Sequence, residues 1–129
     1  MDTLKKLTAE LGLTDNVVFT GFIDEEDKPA IYNLSNIFVI SSPAELQSIV
    51  TLEAMSSAKP VIAVDVAALH ELVHNNENGY LFKSGDSGEL AEKIIKILTD
   101  AKLMKKFGKE SLEINRKSHY TKNTFDEYE

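Results

Sequence analysis

Hydrophobic residues follow two patterns along this chain: short unbroken runs, and sets spaced three or four residues apart. The runs Val17–Thr20, Ile37–Ile40 and Val61–Val64 are rich in β-branched residues and predict strands, and Tyr80–Phe82 predicts a last, shorter strand. An unbroken apolar run is typical of a strand that is covered on both faces, as in a parallel sheet. The runs therefore favour a buried parallel sheet.

The spaced sets predict helices between the strands. These helices are expected over Thr3–Leu11, Pro29–Leu34, Val50–Met55, Ala68–Val73 and Leu90–Leu98, with a final helix after Asp100. Asp86 and Glu89 have the spacing of a capping box for the fifth helix, and Asp100 is expected to cap the last. The inward positions of these two helices are expected to be Leu90, Ala91, Ile94, Ile95, Leu98, Leu103, Met104, Phe107 and Ile114.

Strand and helix alternate throughout, which predicts an α/β layer fold with right-handed crossovers. The expected architecture is a Rossmann-like parallel sheet with helices on both faces. No internal repeat or linker interrupts the pattern, so residues 1–129 are predicted to form a single domain. The polar tail after Lys117 is expected to be loosely held unless a partner docks it.

Composition narrows the possible chemistry. The 129 residues include 14 Lys and Arg against 21 Asp and Glu, a net charge of −7, which argues against a broad nucleic-acid or anionic-membrane footprint. The chain has no Cys, which excludes a disulfide framework, thiol catalysis and a Cys-ligated zinc site. No apolar run approaches the ~18 residues of a spanning helix, and the amino end has no signal-peptide core. We therefore expect a cytoplasmic protein.

The segment with the clearest chemistry follows the second predicted strand. In a parallel sheet, ligands sit beyond the carboxyl ends of the strands, and here the loop Ser41–Ser48 leads into the helix that holds Glu53. The unpaired N–H groups at that helix start favour a diphosphate. Glu53 lies about one and a half turns into the helix and is placed to bind vicinal hydroxyls, while Glu45 on the loop is placed to meet a second polyol. This combination suits a sugar nucleotide.

These residues resemble a known family. Glu45-x7-Glu53, followed by Ala54-Met55, looks like the E-x7-E signature of retaining GT-B glycosyltransferases of the glycosyltransferase family 4 type. The resemblance extends over roughly residues 4 to 112, and it implies the carboxyl-terminal, donor-binding domain of the GT-B fold. The variant Ala44–Ser48 is similar to the bacterial branch that forms glycolipids. Further matching segments, in the family's order, are Val18–Gly21, Tyr32, Lys59–Ala63, Glu71–Val73 and Asn78–Phe82.

The resemblance implies a role for each matching position. Glu45 would act at the sugar ring near the reacting carbon, and Glu53 would hold the ribose hydroxyls of the donor. The reaction implied is glycosyl transfer with retained anomeric configuration from a nucleoside-diphosphate sugar, expected to be a UDP-sugar, without a cofactor or a bound metal. The positions expected to bind the donor through backbone N–H groups or at the nucleobase are Leu46, Gln47, Ser48, Ile49, Ile23 and Lys28.

The sequence also departs from the family pattern. Ser48 replaces a glycine at which the backbone approaches the ligand, and His70 stands where proline is usual. The first two strands of the donor domain and the amino-terminal acceptor domain are expected to be missing, together with the basic residues that clamp the diphosphate. The chain alone is therefore predicted to be inactive. Its acceptor, a lipid or a saccharide, would bind through the missing domain, and the full-length enzyme is expected to lie at the inner face of the membrane.

In such sheets the strand order is 3-2-1-4-5-6, so missing first strands would separate Val17–Thr20 from Ile37–Ile40. We expect the chain either to pair these two segments directly or to fill the gap by self-association.

Two alternatives remain open at this stage. His70-Glu71-Leu72-Val73-His74 fits the H-E-x-x-H signature of zinc proteases, with Glu89 or Glu92 as a third ligand. The α/β pattern also suits a non-catalytic module that binds a nucleotide or a protein partner, because fold does not determine function. That second alternative gives no reason for the two acidic residues around the helix start.

Overall fold

A three-stranded parallel sheet forms the centre of the protein. The computed structural model describes residues 2–21, 23–41 and 47–117. The strands are β1 (Phe38–Ile40), β2 (Val61–Val64) and β3 (Gly79–Phe82), in the order β1-β2-β3. Phe38 pairs with Val61, and Val61 pairs with Gly79, so the three strands start at the same level. The predicted parallel α/β fold is confirmed, whereas the tail after Lys117 lies outside the described residues.

Five helices and two short 3-10 helices connect and cover the strands within the described part of the chain. None of these helices is both long and apolar enough to cross a membrane. The helices are α1 (Asp2–Glu10), α2 (Lys28–Leu34), α3 (Gln47–Ser56), α4 (Ser87–Leu98) and α5 (Ala101–Lys117), and the 3-10 helices are Glu25–Asp27 and Ala67–Leu69.

The core is built around β2. All four of its residues are buried, and because successive strand residues point to opposite faces, both faces of the sheet are covered at this strand. Phe107 of α5 is fully buried and meets the ring of Tyr80 in β3 edge-on, with centroids 5.4 Å apart. The Asn115 side chain donates a hydrogen bond to the Leu52 carbonyl at 2.8 Å. This contact ties α5 to α3, the helix that carries Glu53.

The two predicted caps are present. The Asp86 carboxylate accepts a hydrogen bond from the Glu89 backbone at 2.9 Å, and the Asp100 carboxylate accepts one from Leu103 at 3.0 Å. The side chain of Glu89 does not close the box on Asp86. It accepts from the Lys83 backbone at 2.8 Å instead, so it fastens the end of β3 to the start of α4.

The predicted inward face of α4 is partly wrong. Ile97 is the fully buried residue of this helix, whereas Ile95 and Leu98 are 60% and 47% exposed. Leu90 and Ile94 pack against the core as expected. The spacing of Leu90, Ile94 and Ile97 is four and then three residues, which defines one narrow stripe along the helix. The sequence offers apolar residues on both sides of that stripe, and the packing of α5 selects between them.

The predicted strand at Val17–Thr20 is not formed. β1 pairs with β2, and Val17–Thr20 has no partner strand among the described residues; Val18 is 84% exposed. The apolar run has high β-propensity, but a strand is stable only when its backbone N–H and C=O groups form hydrogen bonds with a neighbouring strand. The expected direct pairing with the Ile37–Ile40 segment is therefore wrong, and association between copies stays a prediction. The predicted first helix exists as α1, although none of its residues is buried.

Gly108 provides a test of the packing between α5 and the turn after α3. A β-carbon at Gly108 would lie 2.2 Å from the Ala58 carbonyl oxygen. Alanine in a helix interior normally stabilises relative to glycine by ~1 kcal/mol. Here we expect Gly108→Ala to lower the free energy of unfolding by about 1–3 kcal/mol, because the backbone must move apart. The measurement is urea unfolding followed by circular dichroism.

Gly88→Ala on α4 is the matched control. A β-carbon there would have only an ordinary contact, 3.5 Å from the Asp86 carboxylate. We expect this variant to be neutral or stabilised by up to ~1 kcal/mol. Equal stability of the two variants would contradict the close approach of α5.

Candidate functional site

The candidate site lies alongside β1, between the helices that precede and follow it. α3 begins at Gln47, beyond the carboxyl end of β1, and its first turn contains Ser48 and Ile49. The N–H groups of a first helical turn have no partner within the helix, so this end of α3 favours an anion. Glu45 and Leu46 lie outside the described residues, and their predicted roles stay predictions.

Glu53 lies in the second turn of α3 and faces α2. Its Oε2 accepts a hydrogen bond from the Tyr32 hydroxyl at 3.0 Å, and the contact is partly buried. Because helical side chains tilt toward the helix N-terminus, the Glu53 side chain leans back toward the start of α3. The structure therefore places a fixed carboxylate on the helix whose amino end favours an anion.

Lys28 is the first residue of α2, and its positive charge interacts with the negative charge of Glu53. Its Nζ is 2.6 Å from Glu25 Oε1. The hydrogen bond to Glu25 raises the pKa of Lys28 above its usual 10.5, and the charge of Glu53 raises it further. Lys28 is therefore a permanent cation near Glu53, as a role beside an anionic nucleotide would require.

Tyr32 is the titratable group most changed by this arrangement. Burial raises the pKa of Tyr32 to about 12, and the hydrogen bond to Glu53 and the charge of Glu53 act in the same direction. The phenol therefore stays protonated at neutral pH and acts as a donor to the carboxylate.

The remaining predicted donor-binding residues are placed less closely. Ile23 is half-buried in the segment before the 3-10 helix Glu25–Asp27. It lies five residues before Lys28, the first residue of α2. Ile49 is 44% exposed on the first turn of α3. A hydrogen bond thus joins Tyr32 and Glu53, and Lys28 interacts with Glu53 through its charge.

The H-E-x-x-H segment does not have the geometry of a zinc-protease helix. The predicted helix over Ala68–Val73 is wrong, because the 3-10 helix Ala67–Leu69 is followed by a turn. His70 Nε2 lies 2.5 Å from Asp65 Oδ1, whereas His74 Nε2 lies 2.9 Å from the Glu71 carbonyl. Two His ligands at this spacing require one face of an α-helix, which is not formed here.

Within the ranges that the structure describes, no three His, Asp or Glu side chains are grouped so that they could hold a metal ion. Glu89, one of the two proposed third ligands, has its Oε1 engaged by the Lys83 backbone. The arrangement of these side chains does not favour the zinc alternative.

Tyr32 is the functional candidate that sequence reasoning missed. In the resemblance to the family, Tyr32 is a matching position before a predicted strand, and no function is implied for its side chain. Its spacing from Lys28 is four residues, which places both on one face of α2. This i, i+4 relation is the signal that links Tyr32 to the donor-binding residues.

Known proteins with similar sequences form one family. A family model described as Glycosyl transferases group 1 matches residues 1–113. Alpha-D-kanosaminyltransferase of Streptomyces kanamyceticus is 32% identical over 100 residues, which are 78% of this chain and 26% of that protein. The chain spans about a quarter to a third of the length of the curated relatives it matches.

Solved structures show the same fold. The C-terminal domain of the glycosyl transferase group 1 family protein LpcC from Francisella tularensis has a TM-score of 0.82 and 30% identity, over 92% of this chain and 61% of that one. Alr3699/HepE from Anabaena, in complex with UDP-glucose, has a TM-score of 0.82 and 29% identity, over 90% of this chain and 32% of that one.

Proposed function

The chain belongs to the group 1 glycosyl transferases, and on that basis we propose that it is the donor-binding domain of a retaining glycosyltransferase. The substrate bound here is a nucleoside-diphosphate sugar. This chain is part of the carboxyl-terminal, donor-binding domain of a GT-B enzyme, and a separate domain provides the acceptor site. By this proposal residues 1–129 do not complete the catalytic centre alone.

The observation that carries the proposal is the fixed carboxylate of Glu53. A carboxylate accepts hydrogen bonds from two neighbouring hydroxyls, which is the pattern of a ribose 2′,3′-diol. The first turn of α3 lies on the same helix and offers unpaired N–H groups to a diphosphate. Lys28 adds a positive charge near the expected position of the base and the ribose. These features together suit a nucleotide better than a protein partner.

The proposed reaction breaks the bond between the sugar's anomeric carbon and the diphosphate oxygen, and it forms a bond from that carbon to an acceptor hydroxyl oxygen on the same face. The hydroxyl proton passes to the departing diphosphate. Glu45 contacts the sugar near the reacting carbon. The leaving diphosphate gains negative charge as the bond breaks, and the amino end of α3 stabilises that charge because its N–H groups are already oriented. Removing one such oriented donor typically lowers the rate about 10²- to 10³-fold.

A UDP-sugar is the proposed donor. The Anabaena relative's structure contains UDP-glucose, which supports uridine diphosphate as the nucleotide. The proposed acceptor is a lipid or a saccharide, and it binds at the separate acceptor domain of the GT-B fold. We propose that the enzyme works in the cytoplasm, with the acceptor domain at the inner face of the membrane if the acceptor is a lipid.

Calorimetric titration of the chain with UDP tests this proposal. We expect a dissociation constant below about 1 mM, within the usual range for enzyme substrates. Uridine and inorganic pyrophosphate should each bind more weakly than UDP, because each lacks one half of the contacts. Tight stoichiometric binding of zinc would instead favour the protease alternative, and binding of neither ligand would favour an interaction module.

A further inference from the structure

Tyr32 connects the two helices of the candidate site through one polar contact. Its hydroxyl donates to Glu53 Oε2 at 3.0 Å. Its ring meets Phe38 of β1 edge-on, with centroids 5.8 Å apart and an angle of 78° between the planes. The side chain is therefore held at both ends, by the strand at the ring and by the carboxylate at the hydroxyl.

The contact leaves the second carboxylate oxygen available. Oε2 of Glu53 is engaged by Tyr32, whereas the structure gives Oε1 no hydrogen bond among the described residues. Lys28 does not hold Glu53 in the same way, because its Nζ is bonded to Glu25. A carboxylate that is fixed by one oxygen presents the other in a defined direction, and less side-chain freedom is lost when a ligand binds.

We infer that Tyr32 is a positioning residue that holds Glu53 in the orientation that binds the ribose diol, so that it strengthens the preference for ribonucleotides over 2′-deoxyribonucleotides. The inference rests on the proposed function. Tyr32 acts through Glu53 and contacts no part of the ligand. Its loss therefore weakens contacts to the ribose and leaves contacts to the diphosphate unchanged.

Tyr32→Phe is the informative variant, because it removes the hydroxyl and keeps the ring against Phe38. We expect the chain to bind UDP about tenfold more tightly than 2′-deoxy-UDP, the value of one good hydrogen bond to a charged group. In Tyr32→Phe this ratio should fall to about threefold or less. Calorimetric titration with both nucleotides measures the ratio. A loss of fold alone would weaken the binding of both nucleotides equally, so the ratio of the two affinities would not change.

Tyr80→Phe is the matched control, since Tyr80 lies in the core against Phe107 and away from Glu53. It should keep the tenfold ratio within about twofold. A double-mutant cycle with Glu53→Ala completes the test, because a residue that acts through the Glu53 side chain has no effect once that side chain is removed. The ratio should then be the same with Tyr or Phe at position 32.

The outcomes separate this inference from the proposed function. If Glu53→Gln lowers the ratio and Tyr32→Phe leaves it at the wild-type value, the positioning role is overturned and the donor-binding role stands. If Tyr32→Phe lowers the ratio equally in the Glu53→Ala background, Tyr32 acts without Glu53 and the inference is likewise wrong. Absence of UDP binding to the wild-type chain at millimolar concentration overturns both.

Discussion

Replacing Asn78 with alanine is expected to remove a large part of the stability of the fold. The Asn78 side chain is fully buried; its Nδ2 donates to the Leu72 carbonyl at 2.9 Å, and its Oδ1 accepts from the His74 backbone at 2.8 Å. Alanine removes the partners of the buried Leu72 carbonyl and of the partly buried His74 N–H, at about 1–3 kcal/mol each. The expected loss is therefore about 2–6 kcal/mol, out of the roughly 5–15 kcal/mol typical of a whole domain. Urea unfolding measures it.

Asn75→Ala is the matched control in the same loop. The Asn75 side chain also accepts a backbone hydrogen bond, from Leu81 at 2.7 Å, but at an exposed position. Water replaces such a partner, so we expect a change of about 1 kcal/mol or less. If both asparagine variants lose the same stability, burial of Asn78 does not govern the loop before β3.

Replacing Glu53 with glutamine is expected to lower the affinity for UDP about 10- to 100-fold, or about 1.4–2.8 kcal/mol. A charged acceptor contributes about 1.5–3 kcal/mol per hydrogen bond, whereas a neutral amide contributes less and accepts through one oxygen only. The glutamine amide still accepts a hydrogen bond from Tyr32, so the fold is expected to be retained. Calorimetric titration gives the affinity, and circular dichroism checks the fold.

Glu92→Gln is the control for charge, because Glu92 is exposed on α4. It removes the same charge from the molecule as Glu53→Gln and should bind UDP within about twofold of the wild-type affinity. Equal affinity of the wild-type and Glu53→Gln chains for UDP would exclude Glu53 from the ribose site.

The strands of the sheet could be predicted because each is a short run of mostly apolar residues with high β-propensity. Val61–Val64 is apolar at every position, and the structure buries every one of these residues. The same property misleads at Val17–Thr20, where the run is equally β-prone but has no neighbour among the described strands. Local propensity predicts which segments suit a strand, whereas pairing depends on the backbone of a second segment.

Asn78, just before β3, and Gly79, the first residue of β3, show what a matching motif leaves unexplained. The family pattern includes both residues but gives no physical reason for either. In the structure Asn78 closes its own loop by two hydrogen bonds, and a β-carbon at Gly79 would lie 1.6 Å from the Val61 carbonyl oxygen. Such close approach depends on the neighbouring strand and has no periodicity in the sequence.

The candidate site was partly predictable. Glu53 and the helix that carries it were identified from spacing, because a helix start after a buried strand is a common ligand position. The contact of Tyr32 with Glu53 joins residues 21 positions apart, and it depends on how the fold places α2 relative to α3. Long-range contacts of this kind depend on tertiary structure, which local patterns do not encode.

The most direct test of the account is a crystal structure of the chain with UDP. The account predicts the ribose hydroxyls within hydrogen-bonding distance of the Glu53 carboxylate and the diphosphate at the amino end of α3. A different cationic position exists at the opposite, amino edge of the sheet, in a cavity of about 240 Å³ between Lys59 and Lys105. UDP bound in that cavity, with Glu53 free of the ribose, would contradict the account.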